Sequence, residues 1–281
     1  MLTKTQTREY TIPISELLSF RLYSDTRPHH HYIAGLQKGL IFVYRGAELV
    51  GEGIGFGVPI VRFRDKTYFS GSSKIQIFQK DNCTIAVKKF ALDTISDKRF
   101  RRVKMDTPAI RKLSMRLDEL YQKHRHWRLL TIANLSKRVG VQKRFVRTKP
   151  KGSVTVTYLI DPPLIHVKAD FDLFQKETPQ RIFVLNEQGS RFFRKYSDSH
   201  GKALSDKQIG AWEKAEAHWA CISSKNGEVG FRLWKVKGAI MYRGREFLQD
   251  TFDWAGLDYE FDPQKTSLEY DIEILGSLKH T

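Results

Sequence analysis

The chain has almost no cysteine: Cys83 and Cys221 are the only two in 281 residues. Two distant cysteines make neither a disulfide framework nor a zinc site. They read as two buried thiols in a reducing compartment. Long apolar runs are missing too. The most apolar early stretch, Gly53 to Val61, is interrupted by glycine and proline and falls well short of the ~18 apolar residues of a membrane span. The opening Met1-Leu2-Thr3-Lys4 shows no export signal, and Glu16 breaks the first apolar stretch. These absences predict a soluble, cytoplasmic protein without a transmembrane segment. There is no internal repeat and no low-complexity linker.

Phosphate-loop and metal signatures are missing as well. Gly51, Gly53, Gly55 and Gly57 alternate, but Val58-Pro59-Ile60 follows them where a helix or a Gly-Lys-Ser/Thr ending would be needed. Alternate glycines predict a strand or loop where backbones approach closely. Glu52 in that run reads as an exposed loop acid. His29-His30-His31 has no acidic or cysteine partner nearby, and three adjacent histidines cannot all point one way on a regular element. No metal and no cofactor are expected.

What is present is 41% apolar and 12% aromatic composition, enough to bury a sizeable core. Apolar residues alternate in short runs. Tyr10, Ile12 and Ile14 form one; Leu40 to Tyr44 forms another, which Arg45-Gly46 ends as a turn. Val61, Phe63 and Tyr68, Phe69 flank a polar Arg64-Asp65-Lys66 hairpin turn. Ile75, Ile77 and Ile85, Val87 continue the meander, and Val154 to Tyr158 and Leu164 to Val167 resume it. Ile182 to Leu185 and Phe192-Phe193 flank Asn186-Glu187-Gln188-Gly189, which predicts another hairpin. Asn226-Gly227 is the strongest turn signal. Ala239 to Tyr242, Leu257 to Phe261 and Leu268 to Ile274 complete the strands. The period changes between 106 and 139. Thr107 caps, Pro108 starts, and Ile110, Leu113, Leu117, Leu120 and Tyr121 recur at helical spacing. A second helix is expected over 128–138, with Gly140 just past its end.

Charge is concentrated. The net charge is +17, and residues 98–151, with 18 Lys/Arg against 3 Asp/Glu, supply +15 of it. Arg101, Arg102, Lys104, Arg111, Lys112, Arg116, Arg125 and Arg128 suit a surface for nucleic acid or another polyanion, because Lys and Arg neutralise phosphates and release counterions. The alternative is a solvated face that docks on a protein partner.

The later half holds a different constellation. Tyr196-Ser197-Asp198-Ser199-His200-Gly201 is a polar loop after a strand. Trp212, Trp219, Trp234 and Trp254 offer flat apolar faces. Arg243-Gly244-Arg245-Glu246 and Asp253 to Glu260 set arginines and carboxylates beside aromatics. Sugars are held in this way, with rings against C–H faces and charged groups on hydroxyls. A carboxylate pair also suits acid–base work on a glycoside or a sugar carbon.

The segment Gly39 to Pro59, with its strand, its turn carrying Glu48-Leu49 and its second strand ending on proline, resembles the opening of galactose-mutarotase-like proteins. The ending Leu268-Glu269-Tyr270-Asp271-Ile272-Glu273-Ile274 is similar to their closing sheet strand. The resemblance spans these two stretches. It implies a two-sheet super-sandwich and action on, or binding of, carbohydrate. The family's catalytic histidines and carboxylate find no residue-by-residue place here, and the basic helical segment departs from the family pattern.

The expected architecture is therefore all-β: a single β-sandwich domain over 1–281, in the resemblance a super-sandwich, with a basic helical pair inserted at 106–139. The expected function is carbohydrate binding or modification. Glu246 and Asp258 would be the acid and base if the chain is an enzyme, with Arg243, Arg245, Asp198 and His200 on the ligand and Trp254 as the stacking platform. Epimerisation, lysis and hydrolysis stay open, as does a non-catalytic module binding nucleic acid or another polyanion through 98–151.

Overall fold

The computed structural model describes residues 9–24, 37–51, 54–64, 67–80, 83–93, 95–100, 143–147, 149–173, 178–248 and 252–276. The chain divides into two compact units, Met1–Thr94 with Lys149–Thr281, and Ile95–Thr148. In the second unit the described part is an antiparallel pair, Ile95–Phe100 with Lys143–Arg147. The helical pair expected over 106–139 lies outside the described residues, as do the eight basic residues named between Arg101 and Arg128 and the His29-His30-His31 run. Among the described residues no helix is long and apolar enough to cross a membrane.

The first unit is all-β and antiparallel. Its smaller sheet takes β1 (Glu9–Pro13), β2 (Leu18–Tyr23), β3 (Ile41–Tyr44) and β4 (Ala47–Glu48) in sequence order. The β3–β4 turn forms at Arg45-Gly46 as the sequence predicts. Both residues have positive φ, 51° and 79°, which matches the twist of a two-residue hairpin.

With the antiparallel pair of the second unit counted as β8 and β9, the large sheet uses β5 (Gly55–Arg62), β6 (Thr67–Lys80), β7 (Cys83–Asp93), β10 (Gly152–Asp161), β11 (Leu164–Leu173), β12 (Arg181–Gln188), β13 (Phe193–Asp198), β14 (Ala203–Ser205), β15 (Glu213–Lys214), β16 (Trp219–Ser224), β17 (Val229–Trp234), β18 (Ala239–Leu248), β19 (Phe252–Phe261) and β20 (Ser267–Gly276). Their order is β14-β13-β16-β17-β20-β11-β10-β7-β6-β5-β12-β19-β18-β15.

Strands far apart in that order meet across one core. Phe56 on β5 packs edge-on against Phe231 on β17 at 4.9 Å, and Phe171 on β11 against Phe261 on β19 at 5.3 Å. Phe42 from the small sheet joins Phe56 and Phe193 at 6.2 and 5.9 Å. Edge-to-face rings of this kind each contribute about 0.5–1.5 kcal/mol beyond their buried area.

The glycine run behaves as expected where it is described. Gly55 and Gly57 lie in β5 at φ 83° and 76°. A Cβ on Gly57 would sit 2.7 Å from the Tyr158 hydroxyl, which instead donates to the Phe56 carbonyl at 2.7 Å.

Two expectations need correcting. The Ile182–Phe193 hairpin does not form: β12 continues through Asn186, Glu187 and Gln188 and pairs with β5 and β19, with a shift of register against β5 between Leu185 and Asn186. These polar residues are buried, and their hydrogen bonds, given below, explain how a strand carries them. Of the two thiols, only Cys221 is buried, where burial pushes it up to about 11; Cys83 is half-buried.

Candidate functional site

Side chains alternate across a strand, and that decides which predicted residues meet. On β19, Ala255, Leu257, Tyr259 and Phe261 enter the core. Trp254, Gly256, Asp258 and Glu260 therefore share the other face. On β18 the register sets Tyr242 opposite Asp258, Gly244 opposite Gly256 and Glu246 opposite Trp254. The two glycines form a floor. A Cβ on Gly244 would lie 2.5 Å from the Trp254 indole, and one on Gly256 would lie 2.9 Å from Cγ of Glu187. Absent side chains let an indole and a carboxylate lie flat on the sheet.

Three carboxylates gather at this floor. Glu187 and Asp258 are buried, at 7% and 1% exposure, and Glu246 is half-buried. Burial raises Glu187 well above the usual carboxylate range, and the charges of Asp258 and Glu246 raise it further. Burial likewise pushes Asp258 up to about 7, although Asp258 Oδ1 accepts the Asn186 N–H at 2.7 Å. Two like charges in a dry site cannot both ionise cheaply, so the pair holds a proton at neutral pH. Among the described residues no group of three or more His, Cys, Asp and Glu is arranged to hold a metal ion.

The aromatic platform differs from the expected one. Trp254 is only 8% exposed, and its Nε1–H donates to Glu246 at 3.2 Å. The exposed indole is Trp212, at 41%. It packs against Trp254, Tyr242 and Phe183 with ring centroids 5.9–6.1 Å apart. Its backbone is left-handed, at φ 57°, a costly conformation for a bulky residue. Arg243 sets that turn. It donates to the carbonyls of Ile209 and Lys214 and pairs with Glu213. Glu260 on the same face is held by Arg181 through two 2.5 Å bonds and by the Tyr242 hydroxyl.

Arg243 and Arg245 lie on the face of β18 opposite Glu246. Arg243 is engaged in the bonds above. Arg245 donates to the carbonyls of Phe193 and Ser190 at 3.3 and 2.9 Å. Neither is a clamp beside Glu246. Asp198 and His200 sit at the β13–β14 turn. Asp198 accepts the Tyr196 hydroxyl and the N–H groups of His200 and Lys202. Burial works to raise Asp198, but these bonds outweigh it and hold the carboxyl below its ordinary range. This is turn architecture. Asp198→Ala should lower stability by about 1–2 kcal/mol in urea unfolding and leave ligand binding at the glycine floor unchanged.

Glu187 and Trp212 are the residues that sequence reasoning under-weighted. Glu187 looked like a turn residue. Trp212 was one tryptophan among four, although Gly210 two residues before it, at φ 74°, marks the unusual backbone.

No protein-family model matches this chain, and no curated protein matches it in sequence.

Proposed function

We propose that the protein binds carbohydrate on the outer face of β12, β19 and β18, where the sheet forms one layer of a large β-sandwich. The observation that carries this reading is Trp212, an exposed indole in a left-handed backbone with its ring tilted against Trp254, whose N–H holds Glu246. Strain of this kind persists where the surroundings over-determine it, and it collects at ligand sites. The ring offers its face to the C–H side of a sugar. Glu246 is the accessible carboxylate for a hydroxyl. Glu187 and Asp258 lie behind it as a proton-holding pair, the state a general acid requires. The resemblance to galactose-mutarotase-like proteins implies the same ligand class.

A glycan array followed by calorimetry tests this. Wild type should bind a sugar. Trp212→Ala should weaken that binding about two- to twelvefold, since one aromatic contact is worth about 0.5–1.5 kcal/mol, and Glu246→Gln should weaken it severalfold. Wild type that binds no glycan, or Trp212→Ala that binds as wild type does, removes the reading.

A further inference from the structure

A second cleft lies elsewhere on this unit. It encloses about 730 Å³, within the usual size of a small-molecule site. Arg191, Arg194, Lys207, Arg245, Asp206 and Phe247 line it. Arg245 and Phe247 reach it from β18, on the face opposite Glu246, so the cleft is separate from the glycine floor.

Its charge is unbalanced. Arg191 is matched, with Nε 2.9 Å from the buried Asp253 carboxylate. The other three cations share one acid. Arg194 grips Asp206 through Nε and Nη2 at 2.7 and 3.1 Å, Arg245 Nη2 lies 3.3 Å from the same carboxylate, and Lys207 is exposed beside them. The cleft therefore carries an excess of two positive charges. Asp206 registers that field: its bond to Arg194 comes first, with the charges of Arg194, Arg245 and Lys225 adding, and the carboxyl is held below its ordinary range despite some burial. Asp206 also takes a left-handed φ of 48° at the start of the 3-10 turn Asp206–Ile209. Phe247, 48% exposed, is an unburied ring at the cleft wall.

We infer that this cleft binds a phosphate monoester carrying a ring or other apolar group. A phosphate monoester brings close to two negative charges and three acceptor oxygens, which matches an excess of two. Guanidinium forks suit its planar oxygen pairs, and Phe247 gives the organic part an apolar surface.

Calorimetry on the full chain with phenyl phosphate, inorganic phosphate and benzoate tests this. Wild type should bind phenyl phosphate most tightly and benzoate most weakly. Arg194→Gln with Lys207→Gln, both at the surface, should weaken phenyl phosphate at least about tenfold, the loss expected for charge-assisted bonds. Phe247→Ser should erase the advantage of phenyl phosphate over inorganic phosphate. Trp212→Ala should leave all three affinities unchanged, so this site and the glycan site stand or fall apart. Wild type that does not bind, a double variant that binds as wild type does because residues 98–151 attract the anion instead, or benzoate bound as tightly as phenyl phosphate, would each overturn the inference.

Discussion

Replacing Glu187 with glutamine and Asp258 with asparagine should make the protein more stable at pH 8 and leave it nearly unchanged at pH 4. Both carboxyls have folded-state pKa values raised by burial, and the charges of Asp258 and Glu246 raise Glu187 further. The folded form therefore holds protons that the unfolded chain releases near pH 4. Below that pH both states are protonated and the pair costs nothing. As pH rises towards 7 the unfolded chain ionises first and stability falls. Above 7 the cost of Asp258 is fully present, and that of Glu187 grows until pH passes its own raised value. Each pKa unit is worth about 1.4 kcal/mol, so Asp258 alone, pushed up to about 7, should give the double variant a gain on the order of 4 kcal/mol at pH 8. The amides are close in shape, and the side-chain oxygen of Asn at 258 can still accept the Asn186 N–H that Asp258 accepts now. Asp206 and Glu260 are shifted downward by Arg194 and Arg181 and contribute the opposite slope. The measurement is therefore the difference between variant and wild type in urea unfolding at pH 4, 6 and 8. A difference that does not grow with pH would show that the pair does not share a proton in the fold.

The same pair explains how far sequence carried. The strands at Val154–Tyr158 and Leu268–Ile274 were legible because one face is buried and the side-chain period is two, and Leu40–Tyr44, buried on both faces, because it is a β-branched and aromatic run. Arg45-Gly46 and Asn226-Gly227 were legible because Gly46 and Gly227 supply the left-handed backbone such turns need, at φ 79° and 77°. Asn186-Glu187-Gln188 was not. Polarity predicts a turn, and what makes these residues a strand is satisfaction by distant partners. Gln188 accepts the Phe42 N–H and donates to the Leu40 carbonyl, both at 3.3 Å and across almost 150 positions of chain. Nothing local records such a bond. The division of β18 was legible in principle. Arg243, Gly244, Arg245 and Glu246 alternate, so the arginines and Glu246 could not line one site on a regular strand. Choosing between Trp212 and Trp254 required the backbone angle at Trp212 and the cover over Trp254, and both are tertiary facts.

The largest loss of stability is expected from Asn186→Leu. Asn186 is fully buried where β12 meets β5, β19 and β20. Its Nδ2 donates to the Leu257 carbonyl at 3.1 Å. Its Oδ1 accepts the Gly57 N–H at 3.1 Å and the Tyr270 hydroxyl at 2.6 Å. Leucine keeps the branching and the number of side-chain heavy atoms, and its bulkier methyls add some overpacking to the lost hydrogen bonds. Three polar groups lose a partner away from water, each at about 1–3 kcal/mol. Such networks are not additive, and about 3–5 kcal/mol is expected in total. Tyr270→Phe separates the terms. It removes one donor and leaves Asn186 its other partners, so it should cost only about 1 kcal/mol. Asn186→Asp should be worst at high pH and partly recover at pH 4, because it sets a new charge beside Asp258. A cost below about 1 kcal/mol for Asn186→Leu, too small for three orphaned groups, would mean that β12 does not pass through the core here. Glu187 would then return to the surface turn that its sequence neighbours suggest, and the proton-holding pair would be lost with it.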